Sequence, residues 1–423
     1  MSNRFQAIRG FNDILPDSII LWQRTERALQ EVAKLFAYQE IKLPILEQTQ
    51  LFKRTIGEVT DIVEKEMYTF EDMNGDSISM RPEGTAGCVR AMIEHGLLRQ
   101  AQKVWYMGPM FRHEKPQKGR YRQFYQFGVE VFGIPEVSVE LELMCMIYQI
   151  WKSLGIEDAV TLEINCLGSS EDRLRYRQKL IHFFEQHLDK LTPEEQQRLQ
   201  RNPLRLLDSK SPEIQSILVD APLLLDEVSS NSRIQFDLLC QGLDDLGIAY
   251  RLNPRLVRGL DYYHDLVFEW VTPHLGSQAT VCAGGRYNGL VEQLGGSFVP
   301  AVGFAMGLER MILLQEKLLM DAQAHHDVYL LTQEAQPLTR THHVASRIRQ
   351  EAGLSVEMSL AATSFKSQFK KADKSGARYA VILGEEELNN QRVGLKPLRK
   401  GELHDSQMNC TVDELIVWLR NNK

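Results

Sequence analysis

Residues 110–133, MFRHEKPQKGRYRQFYQFGVEVFG, gather side chains that together could grip an anionic nucleotide. Arg112 supplies a planar guanidinium fork of the kind that matches phosphate oxygens. Lys115, Lys118, Arg120 and Arg122 make the following connection positive. From Tyr121 onward the pattern is that of a strand, in which side chains alternate between two faces. Tyr121, Gln123, Tyr125, Phe127, Val129 and Val131 share a mostly apolar face suited to a core. Arg122, Phe124, Gln126, Gly128, Glu130 and Phe132 share the other. A solvated face has little use for Phe124 and Phe132, and a core has little use for Gln126 and Glu130. A pocket wall accommodates both kinds, because a few placed polar groups sit there among apolar ones. An ordinary amphipathic hairpin with a solvated loop fits the alternation equally well.

Further clusters carry chemistry. In Arg81-Pro82-Glu83-Gly84-Thr85-Ala86-Gly87, Pro82 ends a strand, Gly84 allows a tight bend, and Thr85 could cap the helix running towards His95. Glu83 and Thr85 then stand at the end of a strand, where they could hold an ammonium group or simply serve as caps. Leu256 to His264 reads as the sheet resuming, with Arg258 among apolar neighbours and just before Tyr262 and Tyr263. An arginine so placed must be paired or bound to an anion. Cys282 to Gly289 reads as a glycine turn, where Gly284 and Gly285 let something approach the backbone. No Walker lysine accompanies it. Val302 to Gly307 and the apolar run after it read as a strand, a glycine break and a helix. Arg310 falls in that helix's first turn, where the dipole disfavours a cation, so a bound anion is expected nearby.

The elements that must position these residues follow from periodicity. A helix is expected after Pro16, with Trp22, Leu29, Val32, Ala33 and Phe36 on one face. Residues 40–47 read as one strand whose Pro44 points to an edge or an interface. Short strands near residues 68–70 and 77–80 flank the turn signal Asn74-Gly75. A buried helix is expected over 140–153 and a strand over 162–167. A polar, helical insertion is expected over about 168–251, between strands of one sheet. From residue 326 strands and helices alternate, which predicts a small α/β domain. There Lys366, Lys370 and Lys374 recur on one helical face, opposite Phe365 and Phe369. That row suits RNA phosphates, or a plain solvated face.

Composition bounds the class. The 423 residues are 43% hydrophobic and 25% charged, ordinary values for a globular chain of roughly three domains. The net charge of -7 argues against blanket coating of nucleic acid, so any RNA contact must be local. The acidic excess lies in the first 320 residues, while the remainder is nearly balanced, which supports a boundary near residue 325. Cys88, Cys145, Cys166, Cys240, Cys282 and Cys410 are scattered without C-x-x-C spacing, so reduced thiols and a cytoplasmic location are expected. No apolar run approaches a membrane span, and no metal ligands are assigned.

Taken together, these motifs closely resemble those of the bacterial histidyl-tRNA synthetases, which are class II aminoacyl-tRNA synthetases. Residues 41–47, 111–130 and 303–310 are similar to the three class II motifs. Residues 81–85, 258–263 and 283–287 are similar to histidine-specific ones. The resemblance implies an α+β catalytic domain over 1–325, with an antiparallel sheet flanked by helices and the helical insertion within it. It implies an anticodon-binding α/β domain over 326–423 and a homodimer. It implies ATP-dependent attachment of L-histidine to tRNA(His) through a histidyl-adenylate, with Mg²⁺ accompanying ATP. Glu83, Thr85 and Gln126 would hold the α-ammonium of histidine, Glu130 and Tyr263 its ring nitrogens, and Tyr262 and Tyr287 would wall the pocket. Arg112 and Arg310 would clamp the phosphates, Phe124 would stack on adenine, and Glu114 would help position it. Arg258 would approach the α-phosphate and the histidine carboxylate. Arg258 and Arg112 are thus the catalytic candidates. Lys115, Gln117, Lys118 and Arg120 would meet the tRNA acceptor end, and Lys366 and Lys370 its other contacts.

Such chemistry rests on positioning and charge stabilisation, so no nucleophile–base pair is expected. A pocket that hydrogen-bonds both ring nitrogens also needs no editing domain, because an apolar competitor leaves buried polar groups unpaired. Two other readings compete. A non-catalytic regulatory paralogue of the family is expected to lack the anticodon domain and to degrade the histidine-specific motifs. A pure RNA-binding protein leaves Glu83, Gln126, Glu130 and Arg258 unexplained.

Overall fold

The computed structural model describes residues 4–57, 60, 62–207, 209, 211–258, 260, 262–318, 327–333, 338–360, 363–399 and 407–422. The chain divides into two compact units, Met1–Met320 and Asp321–Lys423. The expected boundary near residue 325 lies outside the described residues, as do Gly259 and Asp261 of the Arg258 motif.

An eight-stranded sheet organises the first unit. Its order is Gln39–Glu40, Gln102–Phe111, Gln123–Phe132, Ala301–Gly307, Thr280–Arg286, His264–Val271, Thr161–Cys166 and Tyr250–Leu252. The inner strands all pair antiparallel, and the short strand at each end pairs parallel. The central hairpin joins Gln102–Phe111 to Gln123–Phe132 in a register that sets Met110 opposite Phe124 and Val104 opposite Glu130. From Gln123 its faces divide as the alternation predicts, whereas Tyr121, expected on the core face, precedes the strand and lines the cavity in place of Arg122. Phe127, Val129 and Val131 are buried, and Tyr125 meets Trp22 of the Pro16–Leu35 helix edge to face, 5.2 Å between ring centres. Phe124 and Gln126 face a large hollow. The helices Pro16–Leu35, Ser138–Leu154 and Leu308–Leu318 have the apolar stripes that cover the sheet.

The helices Ser170–Glu185, Pro193–Arg201, Pro212–Leu218 and Ser230–Asp245 lie in sequence between Thr161–Cys166 and Tyr250–Leu252, which pair directly. Tyr176, Leu180, Phe184 and Leu199 share one apolar core with Tyr106, Phe132 and Tyr263 of the sheet side. Residues of three of these four helices, Ser170–Glu185, Pro193–Arg201 and Pro212–Leu218, are therefore packed into the first unit's core.

Three local expectations are corrected. Residues 40–47 do not form one strand. Gln39–Glu40 belongs to the large sheet, and Leu46–Gln48 belongs to a separate three-stranded sheet with Thr69–Glu71 and Ser77–Met80. Pro44 has no N–H to give a ladder, and Arg81 takes the carbonyls of Leu43 (2.9 Å) and Pro44 (3.3 Å) instead. After Tyr250–Leu252 the chain next joins the sheet at His264 and not at Leu256. Tyr262 and Tyr263 are consecutive, both buried, with ring centres 4.6 Å apart, whereas an extended strand would send them to opposite faces. Gly284 and Gly285 lie inside the strand Thr280–Arg286 and not in a turn. A methyl at Gly284 would collide with the Phe268 ring and Cβ of Phe304, and one at Gly285 with the Tyr263 ring.

The second unit is a five-stranded sheet in the order Val356–Met358, Val328–Thr332, Tyr379–Leu383, Val393–Pro397 and Met408–Cys410. The first two pairings are parallel and the last two antiparallel. Val344, Ala345, Leu415, Ile416 and Leu419 from two helices cover one face. Ala372, Phe365 and Phe369 of Phe365–Lys374 cover the other. Lys366, Lys370, Lys371 and Lys374 are exposed on that helix's outer side.

Candidate active site

The hollow on the sheet is a cavity of about 530 Å³. Its wall contains Glu83, Thr85, Arg112, Glu114, Gln117, Arg120, Phe124, Gln126, Arg258, Tyr262, Tyr263 and Arg310, residues that span most of the first unit's sequence. The strand turn, the hairpin, the segment before His264 and the first turn of Leu308–Leu318 each contribute.

At one side, two carboxylates and several hydroxyls meet. Thr85 does not cap its helix with its side chain. Glu83 does so, accepting from the backbone N–H of Thr85 at 2.6 Å and of Ala86 at 3.0 Å. Two of its roughly four lone-pair sites are used in this way. The Thr85 hydroxyl is left to donate to Oε1 of Glu130 at 2.7 Å. Glu130 and Tyr287 do not line the cavity; they stand directly behind it, with Tyr287 donating to Oε2 of Glu130. Burial pushes the Glu130 carboxyl up to about 8, against the pull of its three hydroxyl donors. Burial also raises Glu83. Gln126 keeps a buried Oε1 without a hydrogen-bond partner, a cost that a ligand N–H would remove.

Elsewhere the wall carries four guanidiniums, Arg112, Arg120, Arg258 and Arg310, beside Glu114, Glu269 and Glu309. Arg112 donates from Nε to the Pro82 carbonyl at 2.8 Å, and its guanidinium lies 5.2 Å from the centre of the Phe124 ring. Arg310 donates to the carbonyls of Gly119 (3.2 Å) and Thr280 (2.7 Å). Burial lowers Arg310 to about 10, and Arg112 and Arg120 push it the same way. Burial lowers Arg112 too, with Arg258 opposing its charge. Guanidiniums crowded in a partly dry hollow repel one another, and a polyanion relieves that repulsion. Arg120 is paired with Glu114, and Arg258 with Glu269.

Sequence reasoning missed Tyr106, Glu269, Thr280 and Glu309, all on the cavity wall. Glu269 is a carboxylate flanked by Phe268 and Trp270 in the strand His264–Val271, which is a usable signal. Glu309 precedes Arg310; its carboxylate accepts from the Tyr125 N–H at 2.9 and 3.1 Å, and burial raises it to about 7. Tyr106 carries no local signal. Lys115 and Lys118 are exposed on the connection beside the cavity and are not part of its wall. Lys366 and Lys370 belong to the second unit. Among the described residues no cluster of three or more His, Cys, Asp or Glu could hold a metal by itself, and no helix is long and apolar enough to cross a membrane. All six cysteines are free.

Comparison with known proteins gives the arrangement a family. Residues 10–311 match the family model of histidyl-tRNA synthetase, and residues 327–422 match that of the anticodon binding domain. The apo histidyl-tRNA synthetase of S. aureus is 33% identical, covering 99% of this chain and 100% of its own, with a TM-score of 0.79. The histidyl-tRNA synthetase of Nostoc sp. PCC 7120 shares the fold at 20% identity over 99% of each chain, TM-score 0.72. A Bacillus halodurans protein described as an ATP phosphoribosyltransferase regulatory subunit/histidyl-tRNA synthetase shares it at 20% identity, over 90% of this chain and 98% of its own, TM-score 0.64. By the extent of these matches, the chain belongs to the histidyl-tRNA synthetase family.

Proposed function

We propose that the cavity between Glu83 and Arg310 is where this chain activates L-histidine with ATP before passing it to its tRNA. The observation that carries the assignment is one hollow with carboxylates and hydroxyls towards Glu83 and guanidiniums towards Arg310. Glu83, with two acceptor sites free, Thr85 and Gln126 hold the α-ammonium. Tyr263 and Glu130 address the two ring nitrogens, Glu130 through hydroxyl-bearing neighbours that themselves line the cavity. Tyr262 closes the pocket around the ring, backed by Tyr287, whose ring centre is 5.6 Å away. Arg112 and Arg310 hold the phosphates, Phe124 stacks on adenine, and Glu114 orients it.

The histidine carboxylate attacks the α-phosphorus in line and pyrophosphate leaves. Arg258, between the tyrosines and Glu269, neutralises charge as it builds on that phosphorus. The terminal ribose hydroxyl of the tRNA then attacks the adenylate carbonyl, and AMP leaves. Holding the reactants in line supplies much of the acceleration. The wall also suits a magnesium ion arriving with ATP, which is commonly held by one or two carboxylates together with phosphates. Glu269, whose two oxygens each keep a second acceptor site, is the residue that would hold it. When bound, it supplies further screening of pyrophosphate.

Lys115, Gln117, Lys118 and Arg120 are placed to meet the acceptor end, and the exposed Lys366 and Lys370 to meet tRNA phosphates from the second unit. Domains of 1–325 and 326–423 follow the two compact units closely. A homodimer through the small sheet fits the exposure of Ile45, Leu46 and Phe70 there. Six free thiols fit a reducing cytoplasm. Histidine-dependent exchange of labelled pyrophosphate into ATP, without tRNA, tests the central claim. Exchange that needs tRNA, or that ignores histidine, would overturn it. Sedimentation tests the dimer, and a monomer at micromolar concentration would remove it.

A further inference from the structure

Tyr106 is a cavity residue without a role in the chemistry above. It lies on Gln102–Phe111, lines the cavity and is 2% exposed. Its ring stands in a slot between two glycines. A methyl group at Gly84 or at Gly128 would fall on atoms of that ring. Gly84 belongs to the turn that carries Glu83 and Thr85, and Gly128 lies midway between Gln126 and Glu130. The ring therefore spaces the two segments that present the ammonium-facing groups.

The hydroxyl completes a pattern around Glu130. It donates to Oε1 at 2.9 Å, and the Thr85 hydroxyl donates to the same oxygen at 2.7 Å. Tyr287 donates to Oε2. A carboxylate offers about four lone-pair sites, two on each oxygen. Oε1 is therefore filled by two hydroxyls, and both of those hydroxyls belong to residues that line the cavity.

We propose that the Tyr106 hydroxyl, held by Glu130, sets the specificity of the ring pocket. With Glu130 ionised, the Tyr106 hydrogen is committed to Oε1, so the hydroxyl oxygen that Tyr106 presents to the cavity can only accept, and a ring N–H of the substrate is the group that fits it. This rests on reading the cavity as the histidine site. A ring offering an acceptor at that point leaves a buried polar group unpaired and is rejected. The groups facing Glu130 that titrate are Glu83, Cys88, Tyr106, Tyr262, Tyr263 and Tyr287. Among them the Tyr106 hydroxyl is one that favours the ionised carboxylate, so its removal raises the carboxyl further.

The test compares the full-length chain with Tyr106→Phe in tRNA-independent pyrophosphate exchange, from about pH 6 to about pH 9. The substrates are histidine and an analogue whose ring N–H is replaced by sulfur. The expected result is a rise of about tenfold in KM for histidine, with kcat within about twofold and KM for ATP unchanged. The limb of kcat/KM that rises with pH moves to higher pH, and discrimination against the analogue shrinks. An unchanged KM overturns the proposal, and so does a raised KM without the pH shift. A loss of kcat alone or a failure to fold also overturns it, since either gives Tyr106 a purely structural task. A wild-type chain with no histidine-dependent exchange removes the underlying reading of the cavity instead.

Discussion

Arg258 donates from Nη1 to Oε1 of Glu269, whose other oxygen accepts from the Thr280 hydroxyl at 2.8 Å. The guanidinium is thus tethered to the sheet before any anion reaches it, while its buried Nε has no hydrogen-bond partner. Its centre lies 5.8 Å from that of the Tyr263 ring. The tether fixes where the positive charge waits. Glu269→Ala is expected to slow single-turnover adenylation by about tenfold or more, with little change in KM for histidine. An unchanged rate would mean that Glu269 only balances charge.

Arg258→Ala removes the cation itself. Losing one donor aimed at developing charge typically costs about 10²–10³ in rate. Adenylation should fall by that order, and histidine affinity much less. Single-turnover rates near wild type would remove Arg258 from the chemistry.

The Glu130 carboxyl, held near 8 by burial, sits above its unfolded value of about 4.3. In the window between those values the unfolded chain releases its proton and the folded chain keeps it. The fold therefore has its full stability below the lower value and loses part of it as pH rises to the upper one. Glu130→Gln lacks this titration. Thermal unfolding should show wild type losing several degrees relative to the variant from about pH 5 to about pH 8. Parallel curves would show that Glu130 is ionised throughout.

Gly303 lies opposite Glu130 in the neighbouring strand. A methyl there would fall on Oε2 of Glu130 and reach the Val129 carbonyl at 2.5 Å. Gly303→Ala is expected to destabilise by about 1–3 kcal/mol, the usual cost of overpacking, and to raise KM for histidine. A variant with wild-type melting and wild-type KM would show that Glu130 moves freely.

Lys366 and Lys370 are exposed one helical turn apart. Reversing both to Glu should raise KM for tRNA, and make tRNA binding less salt-dependent, because phosphate contacts release counterions. Pyrophosphate exchange without tRNA should not change. Equal loss in both assays would place the damage in folding.

Period-two alternation separated Phe124, Gln126 and Glu130 from Phe127 and Val129, because alternation is a property of the extended backbone itself. Residue type and place made Arg112, Arg258 and Arg310 candidates, as a fork that matches phosphate, a cation among apolar neighbours and a cation in a helix's first turn. Linear order could not assign those partners. Tyr287 reaches Glu130 across 157 residues, and Tyr106 reaches it across 24. Both pairings depend on the order and register of strands. Tertiary structure also broke residues 40–47 in two, because Arg81 offered the carbonyls of Leu43 and Pro44 partners outside any ladder. It placed Glu130 behind the cavity wall, because three hydroxyls from distant segments converge on its carboxylate. The chemistry available was written in the residue types, and which groups meet was decided by strand order, which short-range periodicity does not encode.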